Sequence, residues 1–283
     1  MATFYNQATL SYSGGIVNSN ITTGELVEVL SATKTAVVEE YTLNSQVTYA
    51  VNIVNSGNTA FNGLTVTDNL GGYTFGGSVV RPTDYVEGSV KYFANGVLQA
   101  APTVTDTSPL TVTGISVPAG GTATLLYTVQ VNSFAPPAQG GAIENTATVS
   151  GGGITPITVT ETVTAANAPL LSINKSISPA TVTESGQLTY TFVIQNIGNE
   201  EAVASDNVVI TDTFNPILEG LTVTYNGTLW TSPDDYTYDE STGLFQTAVG
   251  AITVPAATYT QNPATGAWTV DPGVAVITVT GTV

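Results

Sequence analysis

The 283-residue chain contains no cysteine and no histidine. Without cysteine there can be no disulfide and no thiolate metal site. Without histidine the commonest general base and the commonest metal ligand are missing, which removes serine triads and the usual zinc hydrolase centres. Cations are scarce as well: 4 Lys and Arg stand against 21 Asp and Glu, for a net charge of −17. Phosphate recognition needs clustered cations, so the balance argues against nucleic acid as a partner. An acidic membrane surface would repel the chain, and no apolar run approaches the roughly 20 residues of a membrane-spanning helix. Met1-Ala-Thr-Phe-Tyr-Asn6 has neither a basic start nor an apolar core, so no secretory signal is expected there. The chain is then either part of a longer protein or reaches a surface without ordinary secretion, for example on cell lysis.

With 9% charged residues, the surface must be covered by Thr, Ser, Asn and Gln, as on extracellular β modules. Short alternating segments bounded by Gly, Asn and Pro run the whole length, such as Leu64-Thr-Val-Thr-Asp-Asn-Leu70 and Val208-Val-Ile-Thr-Asp-Thr-Phe214. Asn95-Gly96 and Asn226-Gly227 read as tight hairpin turns. The expected fold class is all-β: two tandem Ig-like β-sandwiches over about 31–165 and 166–283, with negligible helix.

The halves repeat one another. Gln46-Val-Thr-Tyr-Ala-Val-Asn-Ile-Val-Asn-Ser-Gly-Asn58 matches Gln187-Leu-Thr-Tyr-Thr-Phe-Val-Ile-Gln-Asn-Ile-Gly-Asn199. Ser31-Ala-Thr-Lys34 matches Ser172-Ile-Asn-Lys175, and Val66-Thr-Asp68 matches Ile210-Thr-Asp212. The first copy continues into a last strand, Ile143-Glu-Asn-Thr-Ala-Thr-Val-Ser150, for which the second copy has no counterpart before Val283. A similar segment opens the chain instead, Tyr5-Asn-Gln-Ala-Thr-Leu-Ser11, and Gly14-Gly15 corresponds to Gly152-Gly153. Residues 1–30 are therefore expected to be a donor strand and linker, with 31–165 a complete sandwich and 166–283 one that awaits a strand.

This order of motifs resembles the DUF11 repeats of bacterial surface proteins: a Lys on the first strand, then G-x-x-x-T-Y-x-x-x-x-N-x-G, V-T-D, and N-T-A near the end. The resemblance covers nearly all of residues 30–283 and the opening strand. The first copy departs from it with Asn44-Ser45 at the Gly position, and the second by lacking N-T-A. It implies a stalk or fibre module outside the cell, on a bacterial surface. Related two-domain proteins without signal peptides resemble subunits of endospore appendages, which adds a spore surface as a location.

Strand side chains alternate between faces. That phase puts Lys34 among Leu30, Ala32, Ala36 and Val38, Asp68 among Leu64, Val66 and Leu70, and Asn145 among Ile143, Ala147 and Val149. Lys175, Asp212 and, at the N-terminus, Asn6 fall in equivalent apolar stripes. Buried charges are costly unless paired. One reading is a self-formed isopeptide crosslink from Lys34 to Asn145, with Asp68 as the catalytic neighbour. Burial favours a neutral amine and a protonated Asp. The amine attacks the carboxamide carbon, and the Asp moves protons as ammonia leaves. A plain Lys–Asp ion pair bonded to Asn, or an Asn closing a strand edge, fits the same pattern.

In the second copy Lys175 and Asp212 await Asn6 from another molecule, with Asp212 in the catalytic place. Strand donation of this kind is heterologous and open-ended, so it builds filaments. The functional expectation is a structural fibre subunit whose principal partner is itself, with other appendage or anchor proteins as possible partners. It has no enzyme activity beyond self-crosslinking, no cofactor and no metal. The alternative is a monomeric surface adhesin or binding module. Asp234, Asp235, Asp239 and Glu240 are read as a solvated loop rather than a Ca²⁺ site, Trp230 and Trp268 as packing residues or part of a subunit contact rather than a carbohydrate patch, and Arg81 and Lys91 as surface charges.

Overall fold

The structure, a computed structural model, describes residues 2–26 and 29–283. It is all-β. The described residues hold one short 3-10 turn, Ala204–Asp206, and no helix long and apolar enough to cross a membrane.

The first sandwich closes on two six-stranded sheets. One runs Val97–Leu98, Lys91–Ala94, Thr122–Val131, Gln46–Asn55, Leu30–Ala36, with Thr83–Tyr85 also paired to Thr122–Val131. The other runs Thr103–Thr107, Leu110–Val117, Phe61–Asp68, Ala142–Gly151, Ile157–Ala165, Glu40–Tyr41. Strict alternation makes this possible: Val47, Tyr49, Val51 and Ile53 are all buried on one face of their strand, and the residues between them are not. Asn95-Gly96 and Asn226-Gly227 take the paired positive φ values of a two-residue hairpin turn.

The second sandwich repeats the first sheet as Leu171–Ser178, Gln187–Asn196, Gly273–Thr282, Glu219–Tyr225, Thr228–Trp230. Its facing sheet has three strands, in the order Thr211–Thr213, Leu244–Thr247, Tyr236–Asp239. Phe192, Phe214, Phe245 and Ile277 fill the space between them. Among the described residues this sandwich has no counterpart of the Ala142–Gly151 and Ile157–Ala165 pair. The strand expected over Val208–Phe214 shrinks to Thr211–Thr213. Asn207 is left-handed at φ 54°, and the Ile210 N–H donates to the Thr247 hydroxyl. Thr211–Thr213 pairs on one side only, whereas Phe61–Asp68 is held on both.

The N-terminal segment departs from expectation. Ala2–Asn6 pairs with Thr22–Leu26, and Thr9–Tyr12 with Gly15–Asn18, around a tight turn at Ser13-Gly14. What read as a donor strand followed by a linker is a two-stranded hairpin, exposed over residues 4–23. Met1, Val27 and Glu28 of the expected 1–30 segment lie outside the described residues.

A second hairpin, Thr258–Gln261 with Trp268–Asp271, rises from the second sandwich and lies against the first. The Trp268 backbone N–H donates to the Ser133 carbonyl at 2.7 Å, and Gly266 lies beneath the Phe75 ring. The matching stretch of the first sandwich is the short turn at Pro118–Gly121.

Candidate crosslinking sites

Lys34 sits on the edge strand of its sheet, and Asp68 at the end of a strand in the facing sheet. Their side chains are both 0% exposed, with Lys34 Nζ 2.6 Å from Asp68 Oδ2. The Tyr127 hydroxyl donates to the same Oδ2, and the Leu70 N–H donates to Oδ1 at 2.8 Å. Lys34 Nζ lies 4.4 Å from the Tyr49 ring centroid. Burial, outweighing the pull of Asp68, lowers the Lys34 pKa to about 8. A neutral amine is thus reachable near physiological pH, whereas a solvated lysine titrates near 10.4.

Asn145 completes the cluster. Asp68 pairs with Ala147, so Asn145, two residues earlier on the same face, is fully buried beside it. Its carbonyl oxygen accepts the Gly71 N–H at 3.3 Å, while its amide nitrogen and the Tyr49 hydroxyl are both buried without a partner. The two are close enough for Asn145 to lower the Tyr49 pKa against the larger rise that burial causes. A carbonyl held by a backbone N–H is polarised toward attack, and that donor strengthens as charge builds on the oxygen. A Cβ on Gly71 would lie 2.5 Å from an Ile143 methyl, and Gly71 sits at φ +70°, so both space and conformation call for glycine.

Sequence reasoning named Lys34, Asp68 and Asn145, and the structure brings the three together. It did not name Tyr49, Tyr127 or Gly71. A tyrosine in an apolar stripe reads as core, and a backbone donor leaves no mark on the side-chain pattern.

The second sandwich repeats the Lys–Asp pair in a more open setting. Lys175 pairs with Asp212, but their side chains are 39% and 19% exposed. Tyr190 lies under Lys175 as Tyr49 lies under Lys34, with its centroid 4.3 Å from Nζ. Tyr127 is replaced by Val279, which pairs with Tyr190 as Tyr127 pairs with Tyr49. On the Lys175 strand every residue is exposed, Ile173 to 57%. The Lys34 strand is shielded on that face by Ile157–Ala165, which has no counterpart in the second sandwich among the described residues.

Asn6 is not at this site within the chain. It ends the first strand of the N-terminal hairpin and pairs with Thr22. In the first sandwich Asn145 pairs with Glu161. Both Asn residues thus lie on an antiparallel pair, but Asn145 sits within an unbroken ladder, whereas Asn6 ends its ladder and the pairing steps by one residue before Thr9, which interrupts the face expected to carry Asn6 with Ala8 and Leu10.

No protein-family model matches the chain, and no curated protein matches its sequence. The DUF11 resemblance therefore rests on the quoted motifs alone. Among solved structures the chain is similar to BcpA, the major pilin subunit of Bacillus cereus, at 14% identity over 96% of this chain and 73% of that one, with TM-score 0.33. It is also similar to the pilus backbone RrgB of Streptococcus pneumoniae, at 10% identity over 86% and 55%, TM-score 0.35. A third is the 35 kDa C-terminal fragment of the major pilin GBS80 of Streptococcus agalactiae, at 13% identity over 81% and 79%, TM-score 0.36. The chain spans about half the length of the S. pneumoniae subunit.

Trp230 is buried and stacks on Tyr225, with centroids 5.0 Å apart. Trp268 belongs to the bridging hairpin. Arg81 is half-buried with an unpartnered Nε, which corrects its reading as a surface charge. Asp239 accepts from Ser241 within its own loop, and the described residues contain no acidic group arranged to hold a metal.

Proposed function

We propose that the chain is a structural subunit of an extracellular fibre on a bacterial or spore surface, polymerising head to tail. The N-terminal hairpin of one copy completes the second sandwich of the next. A Lys34–Asn145 isopeptide bond locks the first sandwich, and a Lys175–Asn6 bond joins copies. Asp68 and Asp212 handle the protons. Each bond forms between Nζ and the Asn carbonyl carbon as the carbon–nitrogen bond of the amide breaks and ammonia departs.

The observation that carries this reading is the match between an open site and a free element. The open site is the apolar row Leu171, Ile173 and Ile177 around Lys175, beside the free edge of Thr211–Thr213. The free element is a two-stranded hairpin in which Asn6 faces Thr22 as Asn145 faces Glu161 in the pair that covers the same place in the first sandwich, although its ladder steps by one residue between Asn6 and Thr9. Unpaired edges and apolar rows invite an added strand.

Docking on the chain's own second sandwich is out of reach. Three residues separate the hairpin, ending at Leu26, from the strand that starts at Leu30. Four steps of ~3.8 Å span about 15 Å at most. The ten-residue strands of the intervening sandwich alone extend roughly 33 Å. The hairpin must therefore enter a second copy. The end of a filament that shows an open second sandwich would accept a similar hairpin from an anchor protein.

Purified chain should assemble into filaments that survive boiling in detergent as a ladder of covalent multimers. Deleting residues 2–26 should leave monomers, and filaments of normal length from that deletion would refute strand donation. An adhesin acting as a monomer would show neither filaments nor any effect of the deletion on its oligomeric state.

A further inference from the structure

The inward face of the Ile157–Ala165 strand reads Ile157, Val159, Glu161, Val163, Ala165. Glu161 is thus an acid inside an apolar stripe, the same signature that marks Lys34, Asp68 and Asn145. It is half-buried and stands directly opposite Asn145 in the ladder. Opposed residues on one face of an antiparallel pair have Cβ atoms about 4.5–5.5 Å apart. Its charge is felt by both Lys34 and Tyr49. Asp68 bonds the amine, and Glu161 stands across the ladder from Asn145, whose buried amide nitrogen has no hydrogen-bond partner.

We propose that Glu161 is the second carboxyl of the crosslinking site, the one that carries a proton to the departing amide nitrogen of Asn145. This rests on the Lys34–Asn145 bond proposed above. Lys34 begins as an ammonium paired with Asp68. One proton passes to Glu161 and leaves a neutral amine. Nζ attacks the Asn145 carbonyl carbon, whose oxygen is held by the Gly71 N–H. The attacking nitrogen gives a second proton to Asp68. Glu161 returns the first proton to Nδ2, the carbon–nitrogen bond breaks, and neutral ammonia leaves. One positive charge from the ammonium ends on Asp68, which becomes neutral, so atoms and charge balance. Two carboxyls on opposite sides of a reacting bond divide acid and base work in this way.

The second site lacks this group. In the N-terminal hairpin the residue opposite Asn6 is Thr22. The bond between copies must therefore form with one carboxyl, Asp212, and the bond within the chain with two. The titratable groups facing Glu161 are Lys34 and Tyr49 from one sheet and Asp68 from the other, with Tyr127 behind Asp68. Glu40 on the neighbouring strand points to solvent.

The test uses the full chain. E161Q keeps the shape and removes the proton carrier, and intact mass follows ammonia loss over time between pH 6 and 8. Wild type should be crosslinked as isolated. E161Q should be isolated largely uncrosslinked and close at least about a hundredfold more slowly. Its rate should climb nearly tenfold per pH unit, because its amine must now lose a proton to water. T22E supplies the missing carboxyl at the other site, and the covalent ladder should form faster than wild type at pH 6–7. E161Q that is fully crosslinked as isolated would overturn the proposal. So would a slow E161Q combined with a T22E ladder no faster than wild type, since that pattern marks a packing role. A wild-type chain at its full sequence mass would instead refute the Lys34–Asn145 bond itself, an outcome distinct from both.

Discussion

Lys34 is costly to bury, and its surroundings set the sign of two measurements. Removing the acid with Asp68→Ala leaves the ammonium facing the Tyr49 ring without its hydrogen-bonded counter-charge, with only the half-buried Glu161 acting on it. Breaking a buried pair in this way costs roughly 3–5 kcal/mol. The variant should keep its full sequence mass and melt well below wild type by calorimetry. Asn145→Ala keeps the ion pair and removes the acceptor of the bond, so Lys34 titrates freely. Its pKa of about 8 lies below that of the unfolded chain. The unfolded state therefore binds more protons between that pH and about 10, and stability must rise with pH across the window. The gain is up to about 3 kcal/mol at ~1.4 kcal/mol per unit. Above pH 10 burial of Tyr49, which raises its pKa, reverses the slope. Urea titrations of N145A at pH 7, 8.5 and 10 would show the rise, and a flat profile would mean that Lys34 is solvated. The polar members of this site were legible because each interrupts an apolar stripe of period two. Glu161 carries that same mark in Ile157-Thr-Val-Thr-Glu161-Thr-Val163, although the sequence reading passed over it. Gly71 acts through its backbone and could not be found in that way.

Among the strands, the repeat pattern was readable wherever a strand is held on both sides. It was read as well on the edge strands Leu30–Ala36 and Leu171–Ser178, and failed at Thr211–Thr213, where Asn207 turns left-handed and the Ile210 N–H goes to the Thr247 hydroxyl. The N-terminal hairpin was half legible. Tyr5–Ser11 carries a strand pattern, but Ser13-Gly14-Gly15 and Ser19-Asn20 resemble linker composition, and the second strand has no clean alternation. Its pairing follows instead from cross-strand fit, with the Phe4 ring lying over Gly24 where no Cβ intervenes. Leu10 and Ile173 are both more than half exposed in the single chain. Leu10→Asp and Ile173→Asp should therefore leave the thermal melting of the first sandwich unchanged. Each should stop polymerisation, because a charge would enter an apolar contact. Light scattering of each variant checks this, and growth at the wild-type rate would place the contact elsewhere.

Across the whole molecule, the two kinds of joint in a filament differ. Within a chain, five residues join the sandwiches, 166–170, and the Thr258–Asp271 hairpin bridges them through Trp268, Gly266 and Phe75. Between copies the joint would be residues 27–29, and the first sandwich offers only the Pro118–Gly121 turn in place of that bridge. Replacing residues 256–271 with such a turn should broaden the distribution of distances between spin labels on the two sandwiches. An unchanged distribution would show that the 166–170 joint is stiff on its own. Polymerisation itself is tested most directly by mixing chains labelled with ¹⁵N and unlabelled chains, assembling them, and digesting the boiled multimers for mass spectrometry. The account predicts a crosslinked peptide joining Asn6 to Lys175, lighter than its two parts by one ammonia, with half of the pairs carrying one labelled and one unlabelled member. Assembled filaments that boil down to monomers with Lys175 unmodified, or a crosslink made only of like-labelled halves, would contradict it.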